Sequence, residues 1–179
     1  MTGLGLGIHT ETAMTRYPMF FKQGGLVAGC DFIASVTIHG RCLLEDTDPT
    51  FYSFFGVNPG AVAGDGTTVD EALRNFLDNV RLNVFDISDR SKTFEEFEAN
   101  IRAFFEAANA STEKQWIEAV QEVRSGKLEL EGFRKEDGDS RGAASVQLVA
   151  EAQNDNTPKT HARLAPSLNG SASDLATAA

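Results

Sequence analysis

From Phe32 the residues Phe32, Ala34, Val36 and Ile38 alternate with Ile33, Ser35, Thr37 and His39. This two-residue period is that of a strand with one buried face, and the apolar pattern carries it on through Cys42 to Leu44. Upstream, residues 17–22 and 26–30 flank Gln23-Gly24-Gly25, whose turn chemistry predicts a hairpin. Downstream, Glu45-Asp46-Thr47-Asp48-Pro49 predicts a turn, and the aromatic run Phe51-Tyr52-Ser53-Phe54-Phe55 predicts a second strand. Asn58-Pro59-Gly60 reads as another turn, Ala61-Val62-Ala63 as a short third strand, and Gly64-Asp65-Gly66 as the turn that ends it. The middle of the chain is thus an antiparallel meander of three strands.

The period then changes from two to between three and four. Thr68 and Glu71 form a capping box ahead of Val69, Ala72, Leu73, Phe76, Leu77, Val80 and Val84, which fall on one helix face. Thr93 with Glu96 repeats the signal before Phe97, Ile101, Phe104, Phe105 and Ala108. Thr112 with Gln115 does so again before Trp116, Ile117, Val120 and Val123, with Gly126 as the stop. Residues 127–133 and 143–150 read as two strands of a closing hairpin around Glu136-Asp137-Gly138-Asp139-Ser140. The class is therefore α+β, a small antiparallel sheet packed against helices, in one domain spanning 16–152. Residues 1–15, rich in Gly and Thr, read as a mobile lead-in. Residues 153–179 read as a disordered tail, because their few leucines are too sparse to bury much surface.

Charge narrows the function. Of 179 residues, 16 are basic and 26 acidic, a formal charge of -10, which opposes the counterion release that drives nucleic-acid binding. A basic protein partner is better matched, because opposite potentials steer encounter. No stretch approaches the roughly 18 apolar residues of a membrane helix, and the first thirty residues lack the basic start and apolar run of a secretion signal. The expectation is an intracellular, cytoplasmic protein that touches neither membrane nor nucleic acid directly, and with which a homo-oligomer is compatible.

The catalytic inventory is thin. Cys30 and Cys42 each sit in apolar surroundings without a metal-like interval, and read as small hydrophobes. His9, His39 and His161 are far apart, so no metal or cofactor is expected. No nucleophile elbow, phosphate-binding lysine loop or zinc-binding helix motif is present. Gly64-Asp65-Gly66-Thr67-Thr68 before a helix has anion-site features, but also makes an ordinary turn and cap, and Asp65 repels phosphate. Asp46, Asp48, Asp65, Asp70 and Asp78 supply the carboxylates a two-metal nuclease needs, yet they fall in turns and on a helix rather than mid-strand. Phe51, Tyr52, Phe54 and Phe55 lack the neighbouring basic residues of a base-stacking platform, and suit protein contact instead.

Residues 56–75, and within them Pro59-Gly60, Gly66, Thr68, Glu71, Ala72, Leu73 and Asn75, resemble the signature of HicB-type antitoxins. In that family a strand ends in a Pro-Gly turn, and a short strand, a Gly-containing turn, a Thr cap and a Glu-Ala-Leu helix follow. The resemblance spans about 32–88. It implies a partial ribonuclease-H-like domain without the nuclease carboxylates, whose role is to bind and block a small basic mRNA-cleaving toxin. The two further helices and the hairpin over 93–150 exceed the usual domain, and the tail lacks the DNA-binding module many members add.

Two readings stay open, a protein-binding regulator and a divergent metal-dependent nuclease on the same sheet. For the first, the partner-binding residues are Glu45, Asp46 and Asp48 in the acidic turn, which steer, and Tyr52, as the exposed aromatic, which anchors.

Overall fold

The computed structural model describes residues 14–48, 50–129, 134–136, 142–151 and 176–178. Two long strands, β1 (Thr15–Ala28) and β2 (Phe32–Asp48), form the spine. They pair antiparallel from Thr15 opposite Asp46 to Ala28 opposite Ile33. The chain reverses at 29–31, where the Gly29 N–H donates to the Phe32 carbonyl at 2.9 Å. The hairpin expected at Gln23-Gly24-Gly25 is therefore corrected. Those residues continue β1 opposite Ile38, Thr37 and Val36, because pairing along all of β2 outweighs local turn preference.

β2 is the centre of the sheet. One edge takes β1, and the other is shared end to end by β3 (Phe51–Asn58), paired with 41–48, and β6 (Ala143–Glu151), paired with 32–39. A register shift between Arg41 and Cys42 marks the change of partner. β4 (Ala63–Gly66) adds to β3. The short β7 (Ala176–Ala178) pairs antiparallel with β1 at Met19 and Phe20, and β5 (Arg134–Glu136) pairs parallel with β7.

Three further expectations are corrected here. The strand expected at 61–63 and the turn expected at 64–66 are displaced: the bend lies at 59–62, with a cis Asn58–Pro59 bond, and 63–66 is the strand. Gly64 and Gly66 serve close approach rather than turning, since a Cβ at Gly64 would stand 2.5 Å from Phe76 Cα. Of the closing hairpin, 143–151 is a strand that pairs with β2 and 127–129 are not strand, while 130–133 and 137–141 lie outside the described residues. Of the tail expected to be disordered, 176–178 join the sheet as β7, while 152–175 and 179, like 1–13, lie outside the described residues.

The helices are α1 (Val69–Arg90), α2 (Phe94–Glu106) and α3 (Ala110–Arg124). Thr68 and Thr93 cap the first two, each accepting from the N–H three residues on. α3 begins earlier than the Thr112 cap expected from sequence. Asn109 caps it, accepting from the N–H groups of Ser111 and Thr112 at 3.1 and 3.2 Å, while Thr112 is buried in the first turn. Asn is as good a cap as Thr, and the Val57 carbonyl holds the Asn109 N–H in place. Gly126, at φ +73°, ends the helix region as expected.

The helices divide between the two faces of the sheet. Ala72, Phe76, Val80 and Val84 of α1, with Phe97 and Ile101 of α2, bury against Met19, Phe21, Ala34, Val36, Ile38, Leu44 and Phe54. On the opposite face Trp116, Ala119 and Val120 of α3 pack on Phe20, Leu43 and Val57. Strand alternation makes this possible, since Met19 and Phe21 face one way and Phe20 the other. None of the helices among the described residues is long and apolar enough to cross a membrane.

At the start of α1 the Glu71 carboxylate accepts from both the N–H and the hydroxyl of Thr67, at 2.8 and 2.7 Å. The Thr67 hydroxyl, then its backbone N–H, hold the Glu71 carboxyl below its ordinary value of 4.5. A lowered folded value means that this contribution is fully present above 4.5 and fades as pH falls through the lowered value. Glu71→Gln is thus expected to flatten the acid limb of the stability–pH curve, read by thermal melts from neutral to acidic pH. An acid limb parallel to that of the parent chain would contradict it.

Candidate functional site at the turn end of the sheet

The four residues expected to bind a partner lie at one end of the sheet, but not as a loose acidic turn. Glu45, Asp46 and Asp48 belong to β2, which runs on to Asp48, and β3 begins at Phe51. A register shift between Asp46 and Asp48 lets the ladder reach that far, with Tyr52 opposite Asp46 and Phe51 opposite Asp48.

Alternation then sorts these residues onto two faces. Asp46 and Tyr52 lie on the α1 face, both half-buried, and Tyr52 packs with Tyr17 against the main core. Burial first, then the charge of Asp46, then Tyr52, raise the Tyr17 hydroxyl above its ordinary value. The expectation that Tyr52 is the exposed aromatic is corrected. Its neighbour Phe51 is the one turned outward, 46% exposed, because the side facing α1 is occupied by the core.

The outer face carries Phe51 together with Glu45, and across the β3–β4 ladder Asp65, which pairs with Ser53 and is exposed. Glu45 is engaged by the Arg16 guanidinium at 2.8 Å and is largely covered, its side chain only 15% exposed. Charge reversal at Glu45 would therefore break an ion pair between β1 and β2, and is not the neutral surface change that a turn residue would allow. Among the described residues Asp65 has no such counterpart, and it is exposed on this face.

Sequence reasoning missed Phe51 as the exposed aromatic, and Arg16 as the partner of Glu45. Continuing the alternation of Tyr52 and Phe54 back by one residue would have placed Phe51 on the outer face. It also missed Arg41. This residue lies at the register shift of β2, reaching Glu113 of α3 at 2.7 Å, Asn58 of β3 and the ring of Trp116 at 5.2 Å. These contacts tie α3 to the sheet.

The other sequence candidates do not converge. Asp70 and Asp78 stand on α1, and among the described residues no three His, Cys, Asp or Glu side chains gather at metal-binding range. The segment 64–68 is strand and helix cap, with the Thr67 donors occupied by Glu71. Cys42 is buried and its thiol is pushed well up by burial, whereas Cys30 is exposed in the β1–β2 turn. His39 is exposed on β2, opposite Ala143 at the start of β6, and His9 and His161 lie outside the described residues. Comparison with family models, with curated proteins and with solved structures finds no significant match.

Proposed function

We propose that this chain is a protein-binding regulator of the antitoxin kind, which neutralises a small basic partner such as an mRNA-cleaving toxin. Three things support the reading. The stretch resembling HicB-type antitoxins runs through strand, Pro-Gly bend, short strand, Thr cap and helix in the family's order, with Gly64 and Gly66 in the short strand where the family has a Gly-containing turn. The net charge of -10 favours a basic partner. Carrying most weight, Phe51 stands exposed beside the acid Asp65 on one sheet face, which combines an apolar anchor with a steering charge.

The test uses the protein that co-purifies with this chain and measures binding kinetics at low and moderate salt. Phe51→Ala is expected to speed dissociation, with a cost of about 2 kcal/mol, as for a buried aromatic hot spot. Asp65→Lys is expected to slow association, more at low salt than at moderate salt. Unchanged rates in both variants would remove this surface from the interface. Metal-dependent nuclease activity that disappears in the Asp65→Asn, Asp70→Asn double variant would instead establish the enzyme reading.

A further inference from the structure

The two ends of the sheet's shared edge are finished differently. At β4 the outward carbonyls are taken by α1, with the Asn75 amide donating to the Asp65 carbonyl and the Asn79 amide to the Ala63 carbonyl, each at 2.8 Å. β4 is also only four residues long. Capped carbonyls and short length are devices that stop an edge from templating another strand.

β6 has neither device. It is nine residues long, pairs only with β2 among the described residues, and contains no proline and no lysine. Its sequence Ala143-Ala144-Ser145-Val146-Gln147-Leu148-Val149-Ala150 carries no charge before Glu151. The adjoining stretch of β2 from Phe32 to Ile38 is likewise free of Asp, Glu, Lys and Arg. In a chain of net charge -10 this is a neutral strip. It offers nothing to a basic partner, but it is where two copies of an acidic chain meet with least repulsion.

We propose that β6 pairs antiparallel with β6 of a second copy, about a two-fold axis at Val146, joining two sheets into one. The strand is complementary to itself in this register. Leu148, 40% exposed, lies opposite Ala144 of the second copy, and Val149, 56% exposed, lies opposite Ala143, so each large side chain meets a small one. Ser145 lies opposite Gln147, two polar residues on the open face. An isologous contact of this kind closes at two copies and does not propagate. The surface is separate from Phe51 and Asp65, so the inference stands apart from the proposed partner.

The test is the mass of the full chain in solution, by sedimentation at several concentrations and two salt levels. A dimer is expected, and it should strengthen with salt as repulsion between acidic copies is screened; attraction to a basic partner has the opposite salt dependence. Ser145→Lys with Gln147→Lys places like charges opposite one another and is expected to weaken the dimer by about a hundredfold. Ser145→Glu with Gln147→Glu should do the same. All four substitutions fall on exposed positions. Mixing the two double variants should restore a dimer containing one of each, which also shows that both are folded. A parent chain that stays monomeric, a lysine variant that dimerises like the parent, or a mixture that stays monomeric would each overturn the proposal.

Discussion

Replacing Gly64 with alanine is expected to cost about 3 kcal/mol or more, at the upper end of what overpacking costs. The added Cβ would stand 2.5 Å from Phe76 Cα and 2.8 Å from the Asn75 carbonyl carbon, both helix backbone. Backbone cannot rotate aside as a side-chain tip can. Either β4 must leave the β3 edge or α1 must lift from the sheet, and α1 carries Phe76, which packs on Phe21 and Phe54 with centroids 5.0 and 5.9 Å away. Gly24→Ala supplies the comparison. Its Cβ would meet Thr37 Oγ1 and the Val36 carbonyl oxygen at 3.4 Å, which is ordinary contact. Since alanine also restricts the unfolded chain, that variant is expected to lie within about 1 kcal/mol of the parent. Denaturant midpoints of the two variants check this. Equal midpoints would mean that the approach of β4 to α1 is not what requires glycine.

Trp116→Ala is expected to cost about 3–5 kcal/mol, a large share of the stability of an ordinary domain. Trp116 meets Phe20 edge-on at 5.7 Å, holds the Arg41 guanidinium over its ring, and joins Leu43 and Val57 in the core beneath α3. Among the described residues this second core contains six buried residues, so losing its largest member leaves α3 little apolar area with which to hold the sheet. Amide exchange should accordingly quicken more in α3 than in α1, whose packing lies on the other face. Trp116→Phe is expected to cost less than half as much. The ring remains, and the indole N–H, buried and without an acceptor among the described residues, is removed along with its desolvation cost. An alanine variant within about 1 kcal/mol of the parent would show that α3 is held by its polar contacts instead.

The periodic elements were legible in the residues themselves. The alternation from Phe32 to Ile38 and the stripe Ala72, Leu73, Phe76, Val80 name the buried faces correctly, because a side chain's direction follows from local geometry once the element forms. The caps Thr68 and Thr93 were legible for the same reason. Reading failed where one residue type serves two purposes. The glycines at 24–25 and at 64–66 carry turn chemistry, yet they sit in strands. Nothing local distinguishes a glycine that bends the chain from one that makes room for a helix. The candidate site shows the same division. Glu45, Asp46 and Tyr52 were correctly brought to one end of the sheet, but which of them is open to a partner depended on Arg16 and on the α1 face.

Short-range physics in the sequence by itself therefore determined the α+β class, the helices, the inward faces of β2 and α1, and the acidic charge. Only the tertiary structure decided that β2 is the centre, that 143–151 pairs with it, that α3 takes the opposite face, and that Phe51 rather than Tyr52 is exposed. These outcomes depend on which distant strands compete for the same row of backbone donors and acceptors. That competition is settled by the area each pairing buries across both faces of the sheet, a quantity that no local window of residues contains.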